Sequence, residues 1–306
     1  MEDLTRPRLD PDRCTGCGLC LDVCPSDVLA LENGKISLAR DGCFGCDHCT
    51  AVCPAEAIAI DSVSTGNLAL ATIETGGRWL PFGEFDTALL VRLLSSRRSC
   101  RCFTDEPVER AALEDLARIG TMAPSGTNSQ RWSFTIVPDR QTLLGFGHLI
   151  GRFYERLNRL AANPFARLVS RLFMKDKLGH YYRRYHAQVE DALRQWAETG
   201  RDRLFHGATA AILVGTEPGA SCPREDALLA AQNIALAAHT MGIGTCLIGF
   251  AVEAMRRDRS IRRAMGIPET EDIHAVIAVG RPAVTYLRPA GRKPARIRFA
   301  ALPEVR

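Results

Sequence analysis

Two stretches of the chain carry cysteine at the same four offsets. CTGCGLCLDVCP begins at Cys14 and CFGCDHCTAVCP at Cys43, and each reads C-x2-C-x2-C-x3-C-P. Eight of the twelve cysteines lie between Cys14 and Cys53; the others are Cys100, Cys102, Cys222 and Cys246. Steps of three residues let three thiolates from one tight loop grip one face of an iron–sulfur cluster, while the fourth sits too far round to complete the same site and reaches the other cluster. That crossing assigns Cys14, Cys17, Cys20 and Cys53 to one 4Fe–4S cluster and Cys43, Cys46, Cys49 and Cys24 to a second. Gly16, Gly18, Gly42 and Gly45 let the loops curl and bring backbone N–H groups to the sulfurs. Pro25 and Pro54 turn the chain after each fourth ligand. The alternative is a pair of zinc sites, but those draw on C-x2-C pairs well separated in sequence, and here four cysteines crowd together twice.

PSDVLAL and PAEAIAI follow the two blocks, so the segment is an internal duplication. With these motifs, about residues 5–61 resemble the bacterial two-cluster ferredoxins. A domain this small has little core, and its clusters must hold it together. Two adjacent clusters pass single electrons and offer no evident substrate pocket, so something downstream should receive the electrons.

The whole chain has 306 residues, enough for a second, larger domain. A net charge of +4 on a mixed background gives no argument for a nucleic-acid partner. No apolar run is long enough for a transmembrane segment, and MEDLTRPRLD lacks the apolar stretch of a signal peptide. A cytoplasmic protein is expected, and disulfides are not, because that compartment keeps thiols reduced.

Residues 62–85 mix small, polar and glycine residues without a sustained period and read as a linker. Phe85, Leu89, Leu90, Leu93 and Leu94 then recur at helical spacing. Beyond them helical patterns alternate with the β-rich runs WSFTIV, TAAILVGT and HAVIAVG, giving an α+β or α/β domain. Three places in it carry chemical potential. In RRSCRCF, Arg97, Arg98 and Arg101 flank Ser99, and two arginines with a hydroxyl can grip a phosphate; arginine clusters are more often solvated faces. In APSGTNSQRW, Pro124, Ser125 and Gly126 form a turn with exposed N–H groups, and Asn128 and Gln130 offer amides. In MGIGTCLIGF, glycines let backbone approach a flat ligand; both of these stretches also read as ordinary helix-to-strand turns.

In this order and at these spacings the three stretches, with the helix DALLAAQNIALAAHT and the closing AVIAVGRPAVTYLRPAGRKP, resemble the nitroreductase family of FMN enzymes over about residues 86–295. The resemblance implies FMN in a cleft between the subunits of a homodimer, and a central sheet flanked by helices. It places Arg97, Ser99, Arg292 and Lys293 at the FMN phosphate. Arg98 and Arg101 would lie along the ribityl chain and pyrimidine edge, where a cation stabilises reduced flavin. Pro124, Ser125 and Asn128 would come from the partner subunit with Gln130 nearby, and the backbone N–H groups of Ile248 and Gly249 would face the reactive flavin nitrogen. Arg131 stands where the family has proline, and Ile248 where it often has an acidic residue.

The expected organisation is therefore a two-cluster ferredoxin domain over 1–61, a linker over 62–85 and an FMN domain over 86–306, with a helical insertion at 150–205. Within the insertion, NPFARLVSRLFMKDKL is amphipathic and reads as a helix covering the core, with a lid or a basic docking face as alternatives. HYYRRYHAQ reads as an aromatic substrate contact or an interhelix seam. Cys100, Cys102, Cys222 and Cys246 are expected to be buried or half-buried, and His206, His239 and His274 to be packed. The function expected is an FMN oxidoreductase that takes electrons from an external one-electron donor through two 4Fe–4S clusters. It passes them to a small organic acceptor, for which a nitro compound, a quinone or an activated alkene would serve. The alternatives are an electron-transfer component without a substrate of its own, and chemistry on the flavin itself.

Overall fold

The computed structural model describes residues 5–77 and 79–300; the outer limits expected for the two domains, residues 1 and 306, lie outside them. The N-terminal module runs β1 (Arg8–Leu9), α1 (Leu19–Asp22), β2 (Leu29–Glu32), β3 (Lys35–Leu38), α2 (His48–Val52) and β4 (Ile58–Ala59). β1 pairs antiparallel with β4, and β2 with β3. The short helices start after left-handed residues, Gly18 at φ 79° and Asp47 at φ 63°, and each buries the third cysteine of its block, Cys20 or Cys49. Val28, Leu29, Ile36, Ile58 and Ile60 complete the core around those two sulfurs. The two duplicated tails supply four of these five, which is why the repeat reads as one folding unit. Gly16 is required: its φ is +74°, and a Cβ there would stand 2.5 Å from the Gly34 carbonyl oxygen.

After a single 3-10 turn at Thr65–Leu68, the larger domain begins with α3 (Thr87–Ser96) and α4 (Arg110–Gly120). Asp86 caps α3, its carboxylate accepting from the amides of Ala88 at 2.8 Å and Leu89 at 3.2 Å. The chain continues through β5 (Trp132–Val137), α5 (Arg140–Ala162), α6 (Pro164–Phe173), α7 (Lys177–Tyr181) and α8 (Ala187–Thr199). It closes with β6 (Ala210–Thr216), α9 (Pro223–Thr240), β7 (Gly244–Leu247), α10 (Gly249–Arg257), α11 (Arg259–Ala264) and β8 (Asp272–Gly280). The sheet order is β5-β6-β8-β7, and every pair is antiparallel. All residues of β6 are buried, because both of its faces are covered. Ala211 and Leu213 face a core built with Leu143, Phe146 and Ile150 of α5 and Met255 of α10. Ile212 and Val214, on the opposite face, meet Leu113 and Leu116 of α4 and Ala230 and Ile234 of α9. The α+β class and the three β-rich runs stand as expected.

The boundary expected at residue 150 falls inside α5, which runs unbroken from Arg140 to Ala162. α6 does not cover the core as its pattern suggests. Asn163 caps it and Pro164 occupies its first turn. That turn swings the helix away, leaving Phe165, Leu172 and Phe173 on the surface and burying only Ser170. The tyrosines of the next segment form a seam: the Tyr181 hydroxyl donates to Asn158 Oδ1 at 2.6 Å, and Tyr181 and Tyr185 pack on the α5 side of the core. Cys100 and Cys246 are buried, whereas Cys102, Cys222 and His239 are exposed, against the packed environment expected for them. No described helix is long and apolar enough to cross a membrane.

Candidate functional site

The cysteine module places its thiols around space. Cys14, Cys17, Cys20 and Cys53 line one cavity together with Ile36 and Ile58. The last of these sulfurs comes from the second block, which is the crossing that the spacing required. Burial raises the Cys20 thiol, and repulsion from Cys53, Cys14 and Cys17 raises it further. In the other group, burial pushes the Cys49 thiol up to about 11, with Cys46 and Cys43 adding repulsion, and Cys24 packs in the same core. Sulfurs that oppose one another's charge need a cationic centre among them to exist as thiolates. Among the described residues, no three of His, Cys, Asp or Glu converge as a single metal ion requires. Backbone N–H groups already reach the sulfurs, from Gly16 to Cys14 at 3.4 Å, Gly45 to Cys43 at 3.4 Å and Ala57 to Cys53 at 3.3 Å. The donor set, the intervening space and these N–H···S contacts fit iron–sulfur clusters.

In the larger domain, the segment after α3 runs extended along the edge of β7. Ser99 pairs with Thr245, and the Cys100 amide donates to the Thr245 carbonyl at 2.8 Å. Cys100 turns inward and is 2% exposed, so Ser99 and Arg101 fall on the other side of the segment. There Ser99 meets the Cys246 thiol, and Arg101 acts on both Cys246 and His206. Burial lowers His206, with Arg101 adding to the effect, and Asp202 opposes it. Asp202 also fixes that loop by accepting from the amides of Leu204 at 3.0 Å and Phe205 at 2.8 Å. Among the described residues, Arg97, Arg98 and Arg101 have no carboxylate partner, whereas nearby Glu106 pairs with Arg281 and Arg110 with Glu114. Arg97 and Arg98 line a cavity of about 430 Å³ with Gly242, Thr245 and Arg288, and Arg98 stacks on Tyr286 at 5.2 Å. Arg292 and Lys293 lie further along the C-terminal segment, exposed and outside that cavity; Arg292 donates to the carbonyls of Ala290 and Gly291.

Ile248 and Gly249 turn out to be unlike each other. The Ile248 amide donates to the Val276 carbonyl at 2.8 Å, so that N–H is consumed by the sheet and cannot serve a ligand. Gly249 opens α10 with its N–H in the unpaired first turn, and a Cβ there would meet nothing within 4 Å. Gly249 thus offers a free N–H and open space at the start of α10, Arg101 stands beside Cys246 and His206, and Arg97 lines the cavity, which includes neither Arg101 nor Gly249.

The APSGTNSQ loop lies away from the cavity and is held under strain. Thr127, Asn128 and Gln130 have φ of 49°, 52° and 49°, a region in which side chains are costly. The strain is held by hydrogen bonds: Gly126 N–H to the buried Asp226 carboxylate at 2.9 Å, Asn128 N–H to the Ser125 carbonyl at 3.0 Å, and Gln130 N–H to Ser125 Oγ at 3.0 Å. Gly126 is needed, since a Cβ there would stand 2.9 Å from Cys222 Sγ. Pro124 is exposed, and Asn128 Nδ2 donates to the Gly45 carbonyl at 2.8 Å, inside the second cysteine loop. Pattern reading did not single out Asp226 or Asp115. Asp115 is fully buried and accepts from the amides of Ala71 at 2.8 Å and Thr72 at 2.7 Å and from the Thr72 hydroxyl at 2.7 Å. An acid between Ala112 and Leu116 on the apolar face of α4 was the available signal.

Fold and site together define an oxidoreductase built from an iron–sulfur module and a helix-flanked antiparallel sheet. The chain belongs to the nitroreductase family, whose profile matches residues 94–281, and a 4Fe–4S dicluster domain matches residues 6–54. A protein of Archaeoglobus fulgidus named as an NADH dehydrogenase/NAD(P)H nitroreductase is 24% identical over 197 residues, covering 63% of this chain and 84% of the relative. An NADPH-dependent oxidoreductase of Staphylococcus aureus strain MRSA252 is 27% identical over 192 residues, 62% of this chain and 64% of the relative. The chain thus spans somewhat less than two thirds of that second relative. Among solved structures, a nitroreductase with bound FMN from Bacteroides fragilis superposes with a TM-score of 0.51 at 20% identity, covering 71% of this chain and all of the other.

Proposed function

We propose that the chain is an FMN oxidoreductase with its own electron supply. Cys14, Cys17, Cys20 and Cys53 hold one 4Fe–4S cluster, and Cys43, Cys46, Cys49 and Cys24 hold the other. Arg97, Ser99 and Arg101 hold the flavin phosphate and the edge of its ring, with the Gly249 N–H at the reactive face. Pro124 and Ser125, with Gln130 nearby, complete the site from the second copy of a homodimer, and Arg292 and Lys293 join Arg97 and Ser99 at the flavin phosphate. FMN, when bound, supplies the exchange between single electrons and the two-electron reduction of a small organic acceptor. The chain's own residues neutralise the flavin's negative charge, stack its ring over backbone and exclude acids from its edge. One observation carries this reading: a crossed set of four thiols around a cavity, in a chain whose larger part belongs to the nitroreductase family. An apolar face left open supports the homodimer. Leu89, Leu90 and Leu94 of α3, with Leu228 and Leu229 of α9, are all at least 40% exposed.

The test is cofactor analysis followed by turnover. Anaerobically purified protein should contain inorganic sulfide, about eight irons per chain as two clusters require, and releasable FMN. A reduced one-electron carrier should then bleach the flavin and support reduction of nitro or quinone acceptors. Protein holding zinc and no sulfide sinks the reading. Reduction by NADPH at equal rate in a Cys14→Ala, Cys43→Ala variant demotes the clusters to structural parts.

A further inference from the structure

We propose that Asn128 and Asp115 are positioning residues. They dock the iron–sulfur module on the nitroreductase domain so that the cluster of Cys43, Cys46, Cys49 and Cys24 faces inward and the cluster of Cys14, Cys17, Cys20 and Cys53 faces outward. The inference rests on the functional reading above and adds a direction to it.

Two contacts far apart in sequence define the docking. Asn128 Nδ2 donates to the Gly45 carbonyl at 2.8 Å, and Gly45 lies between the ligands Cys43 and Cys46. The amide reaching across is therefore one residue from one ligand and two from another. The second contact is the strap. Asp115 takes three hydrogen bonds from Ala71 and Thr72, which fastens the chain ten residues beyond the module onto α4. A carboxylate with no exposed surface that also accepts from Arg118 is a fixed point, not a transient one. The connecting chain is thus anchored at Ala71 and Thr72 rather than a free tether there. The Asn128 backbone is itself held in the left-handed region at φ 52°, between Thr127 and Gln130 in the same state. The strain of this loop gains a local purpose, because it aims the amide at the module.

Exposure supplies the outward end. Cys17 is the exposed thiol of the eight, Cys46 is half-buried, and Leu19 beside the first block is 46% exposed. An external one-electron carrier of low potential would meet the Cys17 side. In one passage it is oxidised by one electron, the outer cluster is reduced by that electron, and the same electron leaves the inner cluster toward the nitroreductase domain. No bond is made or broken, and no proton needs to cross.

A hydrogen bond or charge beside one cluster shifts that cluster's potential. Asn128→Asp places a carboxylate against the Gly45 carbonyl and disfavours the extra electron on the inner cluster. A redox titration of the full cluster-loaded chain, followed by electron paramagnetic resonance, should show one wave moved to lower potential and the other unmoved. Cys17→Ser and Cys46→Ser, each altering the spectrum of its own cluster, assign the two waves. Movement of the inner wave alone supports the inference; equal movement, no movement, or movement of the outer wave alone overturns it. Hydrogen exchange in the unaltered chain and in Asp115→Ala provides a second measurement should Asn128→Asp fold poorly. Residues 43–47 should be protected in the former and should exchange roughly tenfold faster once the strap is cut. Unchanged exchange there removes Asp115 from the docking. Neither readout needs flavin or substrate. A selective shift in protein that binds no FMN keeps the docking and removes the functional reading, and flavin-loaded protein with no shift does the reverse.

Discussion

Asp115 sits on the apolar side of α4 with Ala112, Leu113 and Leu116, where an acid without partners would be intolerable. Burial alone would raise its carboxyl. The amides of Ala71 and Thr72, the Thr72 hydroxyl and the Arg118 guanidinium outweigh that and hold it below the usual carboxylate range. A carboxyl lowered on folding adds stability that is complete above its ordinary value and is lost as pH falls through the lowered one. Asp115→Asn replaces one acceptor by a donor and sets N–H against N–H, at a cost of about 2 kcal/mol. The stability gap between native chain and variant, measured by denaturant unfolding, should stay constant from about pH 7 to about pH 5. It should narrow only below about pH 4, where the carboxyl of the unfolded chain begins to take up a proton while the native one is still ionised. A gap that closes near neutrality would mean that another group governs the strap. Asn128 shows the complementary case of a residue whose environment follows from contact rather than type. Its partner Gly45 lies 83 positions away, so no local pattern announces the bond.

At the scale of elements, the two helices that meet at Asn163 divide their labour. α5 buries Phe146 to 1% exposure between Phe205, whose ring centroid is 5.6 Å away, and the sheet. α6 presents Phe165 at 72% and Phe173 at 81% exposure to solvent. Phe146→Ala should cost about 3–5 kcal/mol by opening a cavity. Phe165→Ser with Phe173→Ser should change the monomer's stability by less than about 1 kcal/mol, because little buried area is lost. Thermal melts of the two variants check the contrast, and a large loss in the α6 variant would place that face against protein in solution. The comparison also shows what sequence can disclose about this fold. Periodicity located α3, β5, β6 and β8, because alternation and helical spacing are set by the pleat and by the turn of the helix. The crossing of Cys53 was legible because chain length alone decides which sulfur reaches which cluster. The side on which α6 lies was not, since an apolar stripe states that a face wants cover and not where the preceding turn at Asn163 and Pro164 will send it. Nor was the Ile248 amide, whose use by Val276 depends on sheet register between distant segments.

At the scale of the molecule, the two modules differ in what holds them together. The larger domain sandwiches β6 between two apolar layers and needs no ion for its core. The smaller has strands of two to four residues and a core in which Cys20 and Cys49 stand among five aliphatic side chains. Below roughly 60 residues an apolar core of that kind falls short of the conformational entropy it must offset, unless metals tie the chain. Anaerobic removal of iron by a chelator should therefore melt the module while the nitroreductase domain stays folded. Hydrogen exchange resolves the two: residues 8–59 should lose protection, and the strands at 132–137, 210–216 and 272–280 should keep it. Ala71 and Thr72 should remain protected as well, because their acceptor belongs to α4. Loss of protection throughout would mean that docking at Gly45 and the strap joins both modules into one cooperative unit. A module that stays protected without iron would mean that its eight thiols are not what stabilises it, and the assignment of cluster ligands would fall with that result.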